Sequence, residues 1–578
     1  MQAPFHSHTA SEAMREWEEA GTLLINAFTR YLDLSRSMCS TLEIKRNSGG
    51  LLAKIDSLLL GFCVTLDQHL NELRMTLTKS RNRVGSPIYS LPEEILCRIF
   101  SHNVYGLDAS LSKIPMPGRV WTIYHRIYTL ISVCTVWRKI GLSYGAFWSI
   151  LPVFDLGQSH EVLPPTEHIL QRASSGDLHL AVSIQHPQLV QLQNLLDPLK
   201  AYIFRFRTVT ISSGSSYIAK VLVDVLLSHN AIESISKLSL QRKVVGRATK
   251  ALTLPRADDY LNPGGYPLQT QLGQLIQSLS VLRISHIFLN WSNITFSPRL
   301  VELRLEHVLF VNHADARLFL QALSSAHQLR DPKITSVTTR IGDRDEEAPF
   351  RLSLPISLPN LRHLQLGDIA FGDLCLFLSA IAPGLHSITL FITSLITYKL
   401  LQNNKWSRTE IGPLCEFLVQ FPVEKIILGG HKWSDADSWA KMNLNGVLRS
   451  TPALKALILD SYTLDHNILQ TLSPVQGADS DNRDDKFPRL DSVEFRRAKI
   501  EDGGAELKGF IEAQVHPIGT LVLGATLQHG SGSARTLQEN DEIVGWLKEN
   551  VPDFRLVDNR HGAPDTTGKL SVLQLWDE

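Results

Sequence analysis

The chain has 578 residues, 57 basic and 57 acidic side chains and a formal net charge of zero. That length exceeds one hydrophobic core and calls for two or more domains or a long repeat array. Zero net charge gives no global attraction to nucleic acid or to an acidic membrane, and 44% apolar with 20% charged residues is ordinary for a soluble protein.

The first residues, "MQAPFHSHTASEAMREWEE", show no basic segment followed by an apolar one, so no secretory signal is expected. No stretch reaches the roughly 18 apolar residues of a membrane span, and a cytoplasmic or nuclear protein is expected. In 14–42 the apolar residues Trp17, Leu24, Phe28, Tyr31, Met38 and Leu42 fall at helical spacing. In 51–79 the series Leu52, Ile55, Leu59, Phe62, Leu66, Leu70, Leu73 and Leu77 steps by three or four, close to a heptad seam. "NSGG" at 47–50 separates them, and the simplest arrangement is an antiparallel helical hairpin over 1–82. The alternative is a dimerising coiled coil. Because the seam spans only about four heptads and carries Gly61 and His69, a monomeric hairpin packed on the next domain is expected.

Next comes "SPIYSLPEEILCRIF" at 86–100. Ser90-Leu91-Pro92-Glu93 fits a capping box, and Glu93 and Glu94 favour the positive end of a helix dipole. Leu91, Ile95, Leu96, Ile99 and Phe100 form a broad apolar face. A loop at 101–118 leads to a second helical region with Trp121, Tyr124, Ile127, Leu130, Ile131, Cys134 and Trp137. Such a stripe serves a core and a docking surface equally well.

"LPEEILCRIF" at 91–100, followed by "LISVCTVWRKIGLSYGAFWSIL" at 130–151, resembles the F-box pattern. Leu91, Pro92, Glu94, Ile95, Leu96, Ile99, Phe100, Val133, Cys134, Trp137, Arg138 and Trp148 carry the resemblance. The connection 101–129 is about ten residues longer than the family's usual one. The resemblance implies an F-box-like domain over 83–155 that binds a Skp-type adaptor, and through it a cullin and a ubiquitin ligase. Leu91, Pro92, Glu94, Ile95, Leu96, Ile99, Phe100, Val133, Cys134 and Trp137 are then the adaptor-binding residues. It implies a non-catalytic substrate-recognition subunit. The alternative is a repeat scaffold that uses the box for assembly without ubiquitin transfer.

From 165 a helix, a polar turn and an alternating strand come in "EHILQRASSGDLHLAVSI", which is similar to the segment after the box in fungal F-box-like proteins. The pattern apolar-x-x-apolar-x-apolar then recurs, as in Phe206/Val209/Ile211, Leu282/Ile284 after Leu279, and Leu303/Leu305 after Leu300. Its last copies are Leu490/Val493/Phe495, Ile518/Leu521/Leu523 and Leu570/Leu573/Leu575, and helical segments lie between several copies. This is the pattern of leucine-rich repeats, although the asparagine that normally comes after the strand is missing. The expected fold class is α/β: a helical hairpin and an all-α box, then an irregular solenoid of parallel strands and outer helices over 156–578. Long loops are expected at 241–268, 338–350, 475–487 and 528–538.

In each repeat strand the residue between two apolar positions should face the concave surface. Those positions are polar early, at Thr210, Ser239, Arg283, Arg304, Gln365 and Thr389. Later they turn apolar, at Ile427, Ile458 and Val522 with Glu494 between, and these four are the expected target-binding residues.

No catalytic, cofactor or metal motif is found. "DSDNRDD" at 479–485 lacks the glycine and the closing glutamate of a calcium loop, and "HGSGSAR" at 529–535 lacks the lysine of a phosphate loop. The six cysteines, Cys39, Cys63, Cys97, Cys134, Cys375 and Cys415, have no zinc-ligand spacing and are expected as buried free thiols. Basic clusters such as "KSRNR" at 79–83 lack interleaved aromatics, so no nucleic-acid partner is expected.

Overall fold

The computed structural model describes residues 6–42, 49–85, 87–106, 114–154, 165–173, 176–185, 199–229, 231–243, 259–340, 355–400, 406–408, 412–429, 444–473, 487–514, 516–528 and 535–558. The acidic stretch 479–485, most of the four expected long loops and the copy at Leu570/Leu573/Leu575 lie outside these residues. The chain divides into two compact units, Met1–Leu96 and Cys97–Glu578.

In the first unit, helix α1 spans His6–Leu42, α2 spans Gly49–Ser57 and α3 spans Val64–Gly85. A π-helical turn, Leu58–Cys63, joins α2 to α3 around Gly61. Such a turn holds an extra residue and rotates the side chains after it relative to those before it, so the heptad seam does not run straight through. The two helical stretches meet where the Tyr31 and Phe62 rings lie 5.2 Å apart. Leu23, Ile25, Leu34, Leu60 and Met75 are each more than half exposed, so much of the apolar content of this unit faces outward.

Helix α4, Glu93–Tyr105, begins later than the capping box implies: its first backbone bonds run from the Ile95 and Leu96 N–H groups to the Pro92 carbonyl, both at 3.1 Å. The next helical region is two helices, α5 (Met116–Val133) and α6 (Thr135–Ser143), parted by Cys134 in an extended conformation. A short turn carries Phe147 and Trp148 into the first strand.

Among its described residues the second unit holds a 16-stranded sheet. Its successive strands are β1 (Ile150–Phe154), β2 (Leu178–Ile184), β3 (Phe206–Ser213), β4 (Lys237–Arg242), β5 (Val281–Ser285), β6 (Glu302–Glu306) and β7 (Asp331–Thr335). They continue as β8 (His363–Gly367), β9 (Ser387–Ile392), β10 (Val423–Gly429), β11 (Ala456–Asp460), β12 (Ser492–Ile500), β13 (Thr520–Leu527) and β14 (Asp553–Leu556). Each pairs in parallel with the next. Helices alternate with many of these strands, among them Ser216–Ser228, Gln269–Ser278, His313–Leu323, Phe371–Ala380 and Glu542–Asn550. This is an α/β architecture consistent with a leucine-rich-repeat-like solenoid, as the repeat pattern predicts.

The repeat pattern holds at the level of single residues. Phe206, Val209, Ile211, Leu300, Leu303 and Leu305 are fully buried, and the apolar pairs of the other predicted strands among the described residues are buried too, while Phe554 and Leu556 of β14 are half-buried. Leu385 is the exception, fully exposed ahead of β9. The pattern missed β7, where Pro332 takes an apolar position, and β14, which Val551, Phe554 and Leu556 introduce in the expected spacing.

The missing asparagine has a structural counterpart. Just after the strand the backbone turns through a left-handed residue at His286, His307, Ser336, Asp368 and Ser461. Each donates its N–H to a carbonyl of the next repeat: His286 to Glu306 at 3.0 Å, His307 to Thr335 at 3.1 Å, Ser336 to Gly367 at 2.9 Å, Asp368 to Phe391 at 2.8 Å and Ser461 to Arg496 at 2.8 Å. The adjoining Ile287, Val308, Val337 and Ile369 are buried. A left-handed non-glycine residue costs about 1–3 kcal/mol, and here the ladder bond and the buried apolar neighbour hold it.

The cysteines differ from expectation. Cys97 is buried as expected, but Cys134, Cys375 and Cys415 are half-buried and Cys63 is exposed; none of these five is in a disulfide. Burial pushes the Cys375 thiol up to about 12, so it stays protonated at neutral pH.

Candidate docking surfaces

Helix α4 divides its apolar residues between two faces. Ile95 and Ile99, four apart on one face, are 41% and 43% exposed, and Leu91 just ahead of the helix is 37% exposed. Leu96, Phe100 and Val104, also spaced by four, are 4%, 2% and 0% exposed. Phe100 packs on Trp137 at 4.7 Å between ring centroids. The end of the helix is tied down by Arg126, whose Nη1 donates to the carbonyls of Asn103 and Gly106, both at 3.0 Å. The Tyr105 hydroxyl donates to the Ala146 carbonyl at 2.7 Å.

The α5–α6 junction shows a similar division. The Cys134 Sγ accepts the N–H of Trp137 at 3.4 Å, capping α6 in the role more often filled by serine or threonine. Val133 and Val136 on either side of it are exposed, while Cys134 and Trp137 are half-buried. Trp148 is fully buried; its Nε1 donates to the Gly141 carbonyl at 2.9 Å, and the Arg172 guanidinium lies 4.3 Å from its ring centroid. The Tyr124 hydroxyl donates to the Ile150 carbonyl, which fixes α5 on the first strand.

Of the ten expected adaptor-binding residues, Leu91, Pro92, Glu94, Ile95, Ile99 and Val133 are exposed. Leu96 and Phe100 belong to the core, because the helix must bury one of its two apolar stripes to be held at all. Val136 is an exposed apolar residue not singled out from the sequence; its place two residues after Cys134 in "VCTVW" was the available signal.

The four expected target-binding residues form no open apolar patch. Ile427 and Ile458 are 5% and 3% exposed. In register they lie in one row, Phe391–Ile427–Ile458–Glu494–Val522, across five neighbouring strands. Strands lie about 4.8 Å apart, so residues within such a row shield one another. Glu494 is held by Arg496, and Glu494 and Val522 are half-buried. Among the earlier middle positions Thr210, Ser239 and Arg283 are also buried, and Arg304, Gln365 and Thr389 are half-buried.

Among the described residues no group of His, Cys, Asp and Glu could hold a metal ion, and no helix is long and apolar enough to cross a membrane. No family model matches the sequence, and no curated protein matches it.

Proposed function

We propose that the chain is the substrate-recognition subunit of a Skp–cullin–F-box ubiquitin ligase, with the box docking the adaptor and the repeats holding a protein target. The observation that carries this is the division of α4: Leu96, Phe100 and Val104 satisfy the core while Leu91, Ile95 and Ile99 stay exposed. A helix with only a structural role has no need of the second stripe, and exposed apolar surface commonly marks an interaction site. The exposed Val133 and Val136 belong to the second half of the same sequence pattern. The chain supplies no reacting group on this reading; it brings a target close to a charged conjugating enzyme, and its contribution is proximity.

The test is capture of a Skp-type adaptor and a cullin by the full chain and by a Leu91→Ala/Ile95→Ala variant. Truncating large apolar residues at the centre of an interface costs about 1–2 kcal/mol or more, so adaptor binding should weaken at least tenfold with the fold intact. Undiminished binding by the variant refutes the docking role. Adaptor capture without cullin favours the scaffold alternative.

A further inference from the structure

Three adjacent strands of the solenoid carry cations in one row. Arg283 of β5 is in register with Arg304 of β6, and Arg304 with Lys333 of β7. They line a cavity of about 450 Å³ with Lys237 of β4, Glu302 of β6, Asp331 of β7 and His363 of β8. The charged groups lining it are four cations and two carboxylates, an excess of two positive charges before His363 is counted. Glu306, two residues beyond Arg304 on the same face of β6, is buried behind the lining, and counting it leaves the row an excess of one positive charge.

Glu302 organises this row. It accepts from the Nε and Nη2 of Arg283, both at 2.8 Å, and also pairs with Arg304. Burial alone would raise its carboxyl, but the hydrogen bonds from Arg283 and the charges of both arginines outweigh it and hold the group below the ordinary value. One ionised carboxylate therefore fixes two guanidinium groups and leaves the trio positive at neutral pH. Arg283 and Lys333 are buried, where charges are less screened by water and act more strongly on a neighbouring anion.

We propose that this cavity docks an extended acidic segment, rich in Asp and Glu, of a protein partner. The proposal rests on the reading of the chain as a target-recognition subunit and names the chemistry of the target. The cation row advances about 4.8 Å per strand and alternate side chains of an extended peptide lie about 6.8 Å apart, a mismatch of about 2 Å that long, flexible Glu, Arg and Lys side chains take up in pairing two carboxylates with Arg304 and Lys333. Val281 and Val301 give the peptide backbone an apolar floor. A polynucleotide fits less well: no Phe, Tyr or Trp lines the cavity, His363 is the one aromatic ring among its described lining residues, and Glu302 and Asp331 would oppose a continuous phosphate backbone.

The test measures fluorescence anisotropy of labelled peptides, each roughly ten residues long, on the full chain at about 50 mM and 300 mM salt. The peptides are alternating Glu-Ala, Gln-Ala and Lys-Ala, with single-stranded oligouridylate as a fourth probe. Glu-Ala should bind best and weaken with salt. Arg304→Gln with Lys333→Gln should weaken it about tenfold or more. Asp331→Asn, at an exposed position that leaves the core untouched, should tighten it about two- to threefold and decides the matter if the double variant does not fold. Equal binding of Glu-Ala and Gln-Ala, no response to these substitutions, or preference for the oligonucleotide overturns the proposal. Adaptor capture by the same protein is measured alongside: its loss with peptide binding intact strikes the ligase reading, and the reverse strikes only the acidic site.

Discussion

Asp373 offers a quantitative test of the repeat core. It lies in the helix Phe371–Ala380, is buried, and its Oδ2 accepts the Thr339 N–H at 3.1 Å. Burial raises its carboxyl from 3.8 to about 7, and hydrogen bonding from Thr339 offsets only part of that rise. Between those two values the folded chain holds a proton that the unfolded chain has released. Stability therefore falls as pH rises through this window, and the penalty is complete above about pH 7. At about 1.36 kcal/mol per unit, the interval from pH 4.5 to pH 8 is worth about 3 kcal/mol. Asp373→Asn removes the titration and keeps an oxygen for the Thr339 N–H. Its amide donors need new partners, which costs about 1–3 kcal/mol at every pH. The difference between the two pH values is therefore the decisive quantity, and the absolute stability of the variant is not. Urea unfolding of both chains at pH 4.5 and pH 8 should show the variant gaining about 3 kcal/mol on the wild type between the two conditions. A shift of the same size at both pH values refutes the buried, protonated carboxyl.

Two further outcomes check the packing. Ile427→Asp with Ile458→Asp should unfold the chain or lower its urea midpoint sharply, since an unpaired carboxylate in a row this closely shielded costs several kcal/mol; an unchanged midpoint would show that the row is open to solvent. Gly214→Ala should destabilise by about 1–3 kcal/mol, because a Cβ there would stand 2.0 Å from the Gln185 carbonyl oxygen, a backbone atom that cannot swing aside. A thermal midpoint equal to the wild type's would refute that close approach.

The periodic part of this protein is legible in its sequence. Leu300, Leu303 and Leu305, or Leu454, Leu457 and Leu459, announce a strand and its buried face by spacing alone, because side-chain direction along a strand is set by the backbone within a few residues. The same local rule drew the apolar stripes of α4 from 91–100. It did not say which stripe the core would take, since Ile95 and Leu96 are equally apolar and only the packed neighbours separate them. It also misread Ile427 and Ile458, whose shielding comes from Phe391 and Glu494 in strands dozens of residues away. Pro332 hid β7, because the pattern tests residue type while a parallel neighbour on each side tests only fit. The row of Arg283, Arg304 and Lys333 is of the same kind. Its members are 21 and 29 residues apart in sequence and become neighbours through strand register alone. Spacing along one strand is a property of the chain; spacing across strands depends on loop lengths and on how each repeat stacks on the last, and only the folded structure decides it.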